Sequence, residues 1–345
     1  MSALDAHRAA VDRCTYCPKL CRWACPVAEA ECRETSTPWA MMTRVDDVMT
    51  GRAPLDAAAA EVVAHCTGCG RCQTACKHEN DVATVLFAAR GEARAAGVAP
   101  AAQGAWAREA PPPSAAWEAL PAGGAVRLLA GYAEDATIRA SLALLAAAGV
   151  GPVGRPAGGG RTSGVRFREV GDAAAADAAL TTLRAGVAGA QRLICLDAGD
   201  AVALRAAWHG GPAIEHLVEA VAGRLPPLAP RPTGDVLYLD ACRLGRGLGQ
   251  YDAPREVLAR AIDGRVDEAT MTRREAGCCG AGAAYAAVHP AGAAAVAREA
   301  AADRPALPVV IADGPCAAHL RAALAPRPVW HWAEVVAAAL PEGKP

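Results

Sequence analysis

Two cysteine runs constrain this chain more than any other feature. The first is Cys14, Cys17, Cys21 and Cys25, followed by Pro26; the second is Cys66, Cys69, Cys72 and Cys76, followed by Lys77. The second run has the spacing C-x2-C-x2-C-x3-C. The first ends in the same C-x3-C but carries one extra residue between its second and third cysteines. Cysteines so close together in a tight loop reach three neighbouring corners of an iron–sulfur cubane. The fourth corner points away and is commonly served by the last cysteine of the other run. That rule groups Cys14, Cys17 and Cys21 with Cys76, and Cys66, Cys69 and Cys72 with Cys25. Zinc would need only four thiolates, and a thioredoxin-like dithiol would need a βαβ setting that neither run has. Eight thiols in two matching runs indicate two [4Fe–4S] clusters.

The rest of the head reads as helix. Pro38 opens an apolar pattern through Met41, Val45, Val48 and Met49, residues 57–65 are Ala-rich, and residues 82–96 repeat apolar positions at Val82, Val85, Leu86 and Ala89. Cys32 is expected to be a spare or structural thiol, and His65, Arg71 and His78 to be surface polar residues beside the clusters. Aromatics are only 4% of the chain, so the core must be largely Ala, Leu and Val. A formal net charge of −1 leaves no broad basic field for nucleic acid. No apolar run approaches the ~20 residues of a membrane span, and the first five residues carry no export signature. A cytoplasmic location is expected. Neither G-x-G-x-x-G nor a P-loop occurs, so no nucleotide or flavin of the chain's own is expected.

Residues 101–124, rich in Pro, Gly and Ala, read as a linker. Beyond them short apolar segments alternate with Ala/Leu helices, with strands expected at 126–130, 165–170, 192–196, 236–239, 309–312 and 329–330, a parallel α/β pattern. The two halves look like copies. Leu193-Ile194-Cys195-Leu196-Asp197 matches Val309-Val310-Ile311-Ala312-Asp313, Arg205 matches Arg321, and Pro212 matches Pro328. In the second copy Cys242, Cys278-Cys279-Gly280 and Cys316-x2-His319 stand out. Their counterparts in the first are Tyr132, Gly158-Gly159-Gly160, Asp200 and Ala203. Only the second lobe is therefore expected to hold a metal centre, with Asp200 serving as a helix N-cap in the first. Cys242 and Cys316 both follow strands, which places them beyond the carboxyl ends of a parallel sheet, where such sheets bind ligands. Cys195 reads as a buried small hydrophobe.

The set Cys242, Cys278-Cys279-Gly280, Cys316 and His319 resembles the CCG cysteine-rich domain, and the amino-terminal runs resemble the helical two-cluster ferredoxin domain that precedes it in several families. The whole chain is similar to the iron–sulfur subunits of heterodisulfide reductase-related complexes, of glycolate oxidase and of anaerobic glycerol-3-phosphate dehydrogenase. The resemblance implies an α+β multidomain fold: an all-α ferredoxin-like domain over 1–100, the linker, a degenerate Rossmann-like α/β lobe over 125–230, and a CCG lobe with a cysteine metal site over 234–340. It also implies an electron-transfer subunit of a multi-component oxidoreductase. Its partners would be a flavin-linked dehydrogenase or electron-transfer flavoprotein, with a quinone-linked subunit holding the chain peripherally at the inner membrane. The third centre would be a noncubane [4Fe–4S] cluster or zinc. The motif departs from the family's C-x2-C at His319, which is either a ligand or a solvated residue. Alternatives are a thiol/disulfide or quinone reductase acting at the third centre, and a zinc-bound scaffold.

Overall fold

The computed structural model describes residues 3–19 and 21–341. Met1 and Ser2, which enter the export reading, lie outside the described residues. The chain divides into two compact units: Met1–Glu109 with Arg166–Ala176 and Arg274–Ala300, and Ala110–Val165 with Asp177–Arg273 and Ala301–Pro345.

The first unit is helical, as the apolar spacing demands. Helix Pro38–Met49 starts with Pro at its first position, and Thr37 Oγ1 accepts from the Ala40 N–H at 3.2 Å. Asp56 caps Ala57–Ala64 and Asp81 caps Val82–Ala95 in the same way. Their apolar faces bury Met41, Met42, Val45, Val63, Val85 and Leu86, and Cys14, Cys66 and Cys72 sit against this core. The thiols thus share the apolar centre of the unit and are not carried on an outlying loop.

Residues 165–170 form a helix, Val165–Glu169, where a strand was expected. The pattern Val-Arg-Phe-Arg alternates, but over so few residues alternation does not separate strand from one helical turn. Packing decides: Phe167 and Val170 close a cluster with Trp106, Ala107 and Ala284. Residues Arg166–Ala176 accordingly belong to the helical unit. The segment expected as a linker also carries structure, the helices Ala101–Arg108 and Ala115–Glu118, with Trp117 1% exposed.

The second unit holds two parallel sheets. One contains β1 (Val126–Leu129), β2 (Val153–Gly154), β3 (Arg192–Cys195) and β4 (Ala213–His216) in the order β2-β1-β3-β4. The other contains β5 (Val236–Leu239), β6 (Val266–Glu268), β7 (Val309–Ile311) and β8 (Val329–His331) in the order β6-β5-β7-β8. The same order twice is the repeat seen in the sequence. Cys195 is fully buried in the first lobe's core. The corresponding helix starts also meet: the Ala198 N–H, at the start of one helix, donates to Asp313 Oδ1 at 3.0 Å, at the start of its counterpart.

Candidate iron–sulfur centres

Cys14, Cys17, Cys21 and Cys76 line one cavity of about 260 Å³, so the last thiol of the second run joins three of the first. Helix Arg8–Thr15 presents Cys14, and Cys76 caps the carboxyl end of Arg71–Ala75. Asn80 Nδ2 donates to Cys14 Sγ at 2.9 Å while Asn80 Oδ1 accepts from Arg13 at 2.9 Å. Burial pushes the Cys14 thiol up to about 11, against the Asn80 bond that pulls it down, and Cys17, Cys21 and Cys76 push it further.

Cys25 faces the other three. It opens helix Pro26–Glu31, where the Val27 and Ala28 N–H groups favour its thiolate, yet burial together with Cys69 and Cys66 drives it up to about 12. Cys72 is raised well above the usual thiol range by burial and then by Cys69, Cys66 and Cys25. The loop needs left-handed backbone to turn its thiols together, and Gly68 (φ +68°) and Gly70 (φ +74°) supply it. Two groups of four thiols that oppose one another's ionisation suit a cationic inorganic core, which takes thiolates and offsets their mutual repulsion. The donor set therefore fits two cubanes.

His65 and Arg71, expected at the surface, are 2% and 4% exposed. His65 stacks on His289 at 3.8 Å between ring centroids, and its Nδ1 lies 3.0 Å from the Glu61 carbonyl. Glu31 accepts from Tyr285 Oη at 2.5 Å and from Ser36 Oγ at 2.6 Å in the same cluster. Neighbouring residues hold these two side chains inside; the motif alone carries no sign of it. Cys32 is exposed and ends its helix in left-handed backbone.

The five residues expected at the third centre divide between the units. Cys242, Cys316 and His319 belong to the unit of the sheets, and Cys278 and Cys279 to the helical unit. Cys242 follows β5 and Cys316 follows β7, which pair in parallel with Leu239 opposite Ile311. Both thiols thus stand at the carboxyl edge of adjacent strands, Cys316 in the first turn of helix Gly314–Leu324 and half-buried His319 one turn on. A half-buried network lies two residues before Cys242: Arg255 clamps Asp240 through two bonds of 2.8 and 2.7 Å and reaches Glu268 at 2.9 Å, and Thr272 joins both carboxylates. Burial opposes ionisation of Asp240, but the Arg255 bonds and charge prevail and hold its carboxyl below the usual range. Among the described residues no three His, Cys, Asp or Glu side chains close on a single-ion site.

In the first lobe Asp197, and not Asp200, holds the N-cap position, and Asp200 stands in the first turn of the helix. Asp200 is 1% exposed and accepts from the Ser163 N–H at 2.8 Å and from Ser163 Oγ at 2.5 Å. A neutral partner and a carboxylate thus stand where the other lobe has Cys316.

A family profile described as a 4Fe-4S dicluster domain matches residues 10–80, and one described as a cysteine-rich domain, CCG, matches residues 236–321. Over 75 residues, 22% of this chain, the sequence is 44% identical to a probable membrane-anchored ferredoxin of Chromohalobacter salexigens, covering 11% of that relative's own length. No solved structure matches. The chain carries an amino-terminal 4Fe-4S dicluster domain and, in its carboxyl-terminal part, a CCG cysteine-rich domain.

Proposed function

We propose that this chain is an iron–sulfur electron-transfer subunit of a multi-component oxidoreductase. The observation that carries the reading is the cavity in which Cys76 of the second run joins Cys14, Cys17 and Cys21 of the first. Interleaved ligands of this kind belong to paired cubanes. When bound, such clusters accept and release single electrons without moving atoms. The chain's own residues do the rest. Cys14, Cys17, Cys21 and Cys76 hold one cubane, and Cys25, Cys66, Cys69 and Cys72 the second. Asn80 donates to a ligand sulfur, and the apolar core around Met41 and Leu86 keeps water away.

Cys242, Cys278, Cys279 and Cys316, with His319, are proposed as the third centre, a noncubane cluster in preference to zinc. Two of these thiols at the carboxyl edge of adjacent parallel strands support that placement. The donor is proposed to be a flavoprotein, since the chain has no flavin fingerprint. No helix among the described residues is long and apolar enough to cross a membrane. The relative named as membrane-anchored supports attachment through a partner.

Anaerobic purification with iron and acid-labile sulfide counts, followed by low-temperature EPR on reduction, tests this reading. Two cubane signals and at least eight irons per chain are expected. A colourless protein holding zinc and no sulfide would refute it.

A further inference from the structure

Arg90 is a buried cation that the ligand scheme does not use. It is 0% exposed, and its six hydrogen bonds all end on main-chain carbonyls: Val63 (3.2 and 2.9 Å), Ala64 (3.3 Å), Cys66 (2.5 Å), Glu169 (2.9 Å) and Ala283 (2.9 Å). Among the described residues, none of its hydrogen bonds ends on a carboxylate. Two groups act on it electrostatically, the Cys66 thiol more strongly than the Glu169 carboxylate. A buried charge without a counter-ion is costly unless an opposite charge lies nearby. The second set of thiols, once it binds a cubane, is such a charge, because four thiolates outweigh the cationic iron–sulfide core.

The same guanidinium joins two loops. Cys66 begins the second cysteine run, and Ala283 follows the Cys278-Cys279 pair. Ala283 and Ala284 have φ of +52° and +63°, left-handed values that alanine rarely adopts, so this turn is held in place from outside. The loops meet elsewhere too. Cys278 Sγ lies 3.4 Å from Thr67 Oγ1, and a side chain at Gly282 would come within 2.3 Å of the Thr67 carbonyl. Cys278 shares an apolar cluster with Cys25 and Cys69.

We propose that Arg90 is a positioning residue for the second cubane: it fixes the Cys66 loop against the Cys278-Cys279 loop, and its charge makes the second cubane easier to reduce than the first. An electron entering the head then settles on the cubane beside the Cys278-Cys279 loop. This step moves one electron, supplied by a flavoprotein or in the assay by dithionite. No bond forms or breaks, and no proton is needed. The inference rests on Cys25, Cys66, Cys69 and Cys72 being cubane ligands.

The test compares Arg90→Gln, which removes the charge, with Arg90→Lys, which keeps it but loses the fork of carbonyl bonds. Full-length protein is purified without oxygen, and the cubanes are followed by EPR-monitored redox titration; the second is the one whose signal Cys69→Ser removes. Arg90→Gln is expected to lower the reduction equilibrium of the second cubane at least tenfold, 59 mV for a one-electron couple, and to leave the first within threefold. Arg90→Lys should hold both within threefold while amide hydrogen exchange at 280–284 speeds up at least tenfold. Equal shifts of both cubanes, no shift in Arg90→Gln, or a Lys variant as shifted as Gln would overturn the proposal. If neither variant keeps two cubanes, the wild type decides. Chelating its iron should deprotect amides 280–284 together with those at 63–68, and unchanged protection at 280–284 would overturn it. A wild type with fewer than two cubanes would instead sink the cluster reading, and the inference with it.

Discussion

His331 offers a direct test of how the last helix is held. It ends β8 and caps helix Trp332–Ala338, its Nδ1 accepting from the Ala333 N–H at 3.2 Å. Acceptance at Nδ1 puts the proton of the neutral ring on Nε2. The residue is 3% exposed, and burial, aided by the charges of His216 and Arg321, pushes it down to about 3. Protonation would destroy the cap and bury a charge. The folded value lies below the ~6.5 of an exposed histidine, so the unfolded chain binds more protons. The stability contributed by the neutral ring is complete above pH 6.5 and is lost as pH falls toward 3. By linkage the loss between pH 7.5 and pH 5 is about 2 kcal/mol.

Asparagine caps helices as well as any residue and does not titrate between pH 5 and 8. His331→Asn should therefore cost a constant amount, about 1 kcal/mol of lost packing, while the steep acid loss shrinks by about 2 kcal/mol. Urea unfolding by far-UV circular dichroism at pH 7.5, 6 and 5 measures both quantities on one preparation. Cluster lability in acid affects variant and wild type alike and cancels in the difference. Parallel stability curves for the two proteins would refute the reasoning, because they would mean that His331 is already charged in the folded chain or neutral in both states.

Four further outcomes are expected. Asp240→Asn should destabilise the sheet unit by about 3 kcal/mol, because it leaves the buried Arg255 short of its main counter-charge; urea unfolding measures it, and a change below 1 kcal/mol would contradict the network. Asn80→Leu removes a donor to the Cys14 sulfur, so the first cubane should become harder to reduce while the second holds its potential in an EPR titration. Cys76→Ser should disturb the same signal as Cys17→Ser, and Cys25→Ser the same signal as Cys69→Ser, with the reverse pairing ruling out interleaved ligands. Asp200→Ala should cost about 2 kcal/mol, through the Ser163 donors left unpaired, with no change in iron count.

Strong local chemistry made much of this molecule readable. The cysteine spacing states a ligand geometry, and the capped apolar stretches at 38, 57 and 82 state helices with a buried face. The central strands β1, β3, β5 and β7 and the edge strand β8 are expected from the sequence, whereas β2, β4 and β6 are not. Gly154 ends one of them, and the others read Ala-Ile-Glu-His and Val-Asp-Glu. Such edge strands are defined by the neighbour they pair with. Arg90, Asn80, His65 and the Asp240–Arg255 pair were hidden for a related reason. On a helix or beside a motif each looks like a surface polar residue, and only partners distant in the chain, such as Ala283 for Arg90, show that it is buried.

The two lobes close the same strand–helix turn in different ways. In the second, the helix after β7 carries the buried thiol of Cys316 in its first turn. In the first, the helix after β3 has Asp200 at the matching place, and Ser163 supplies two donors to it. A carboxylate with hydroxyl and backbone donors is a self-sufficient buried pair, since its charge is met by hydrogen bonds at close range. The first lobe therefore closes its strand–helix turn by hydrogen bonding, through residues adjacent to the Gly158-Gly159-Gly160 turn that stands in place of the cysteine pair. The second leaves thiols at the corresponding edge. The same strand order serves both, so the difference between a structural lobe and a proposed redox lobe rests on a few side chains at the carboxyl edge of the sheet and not on the fold.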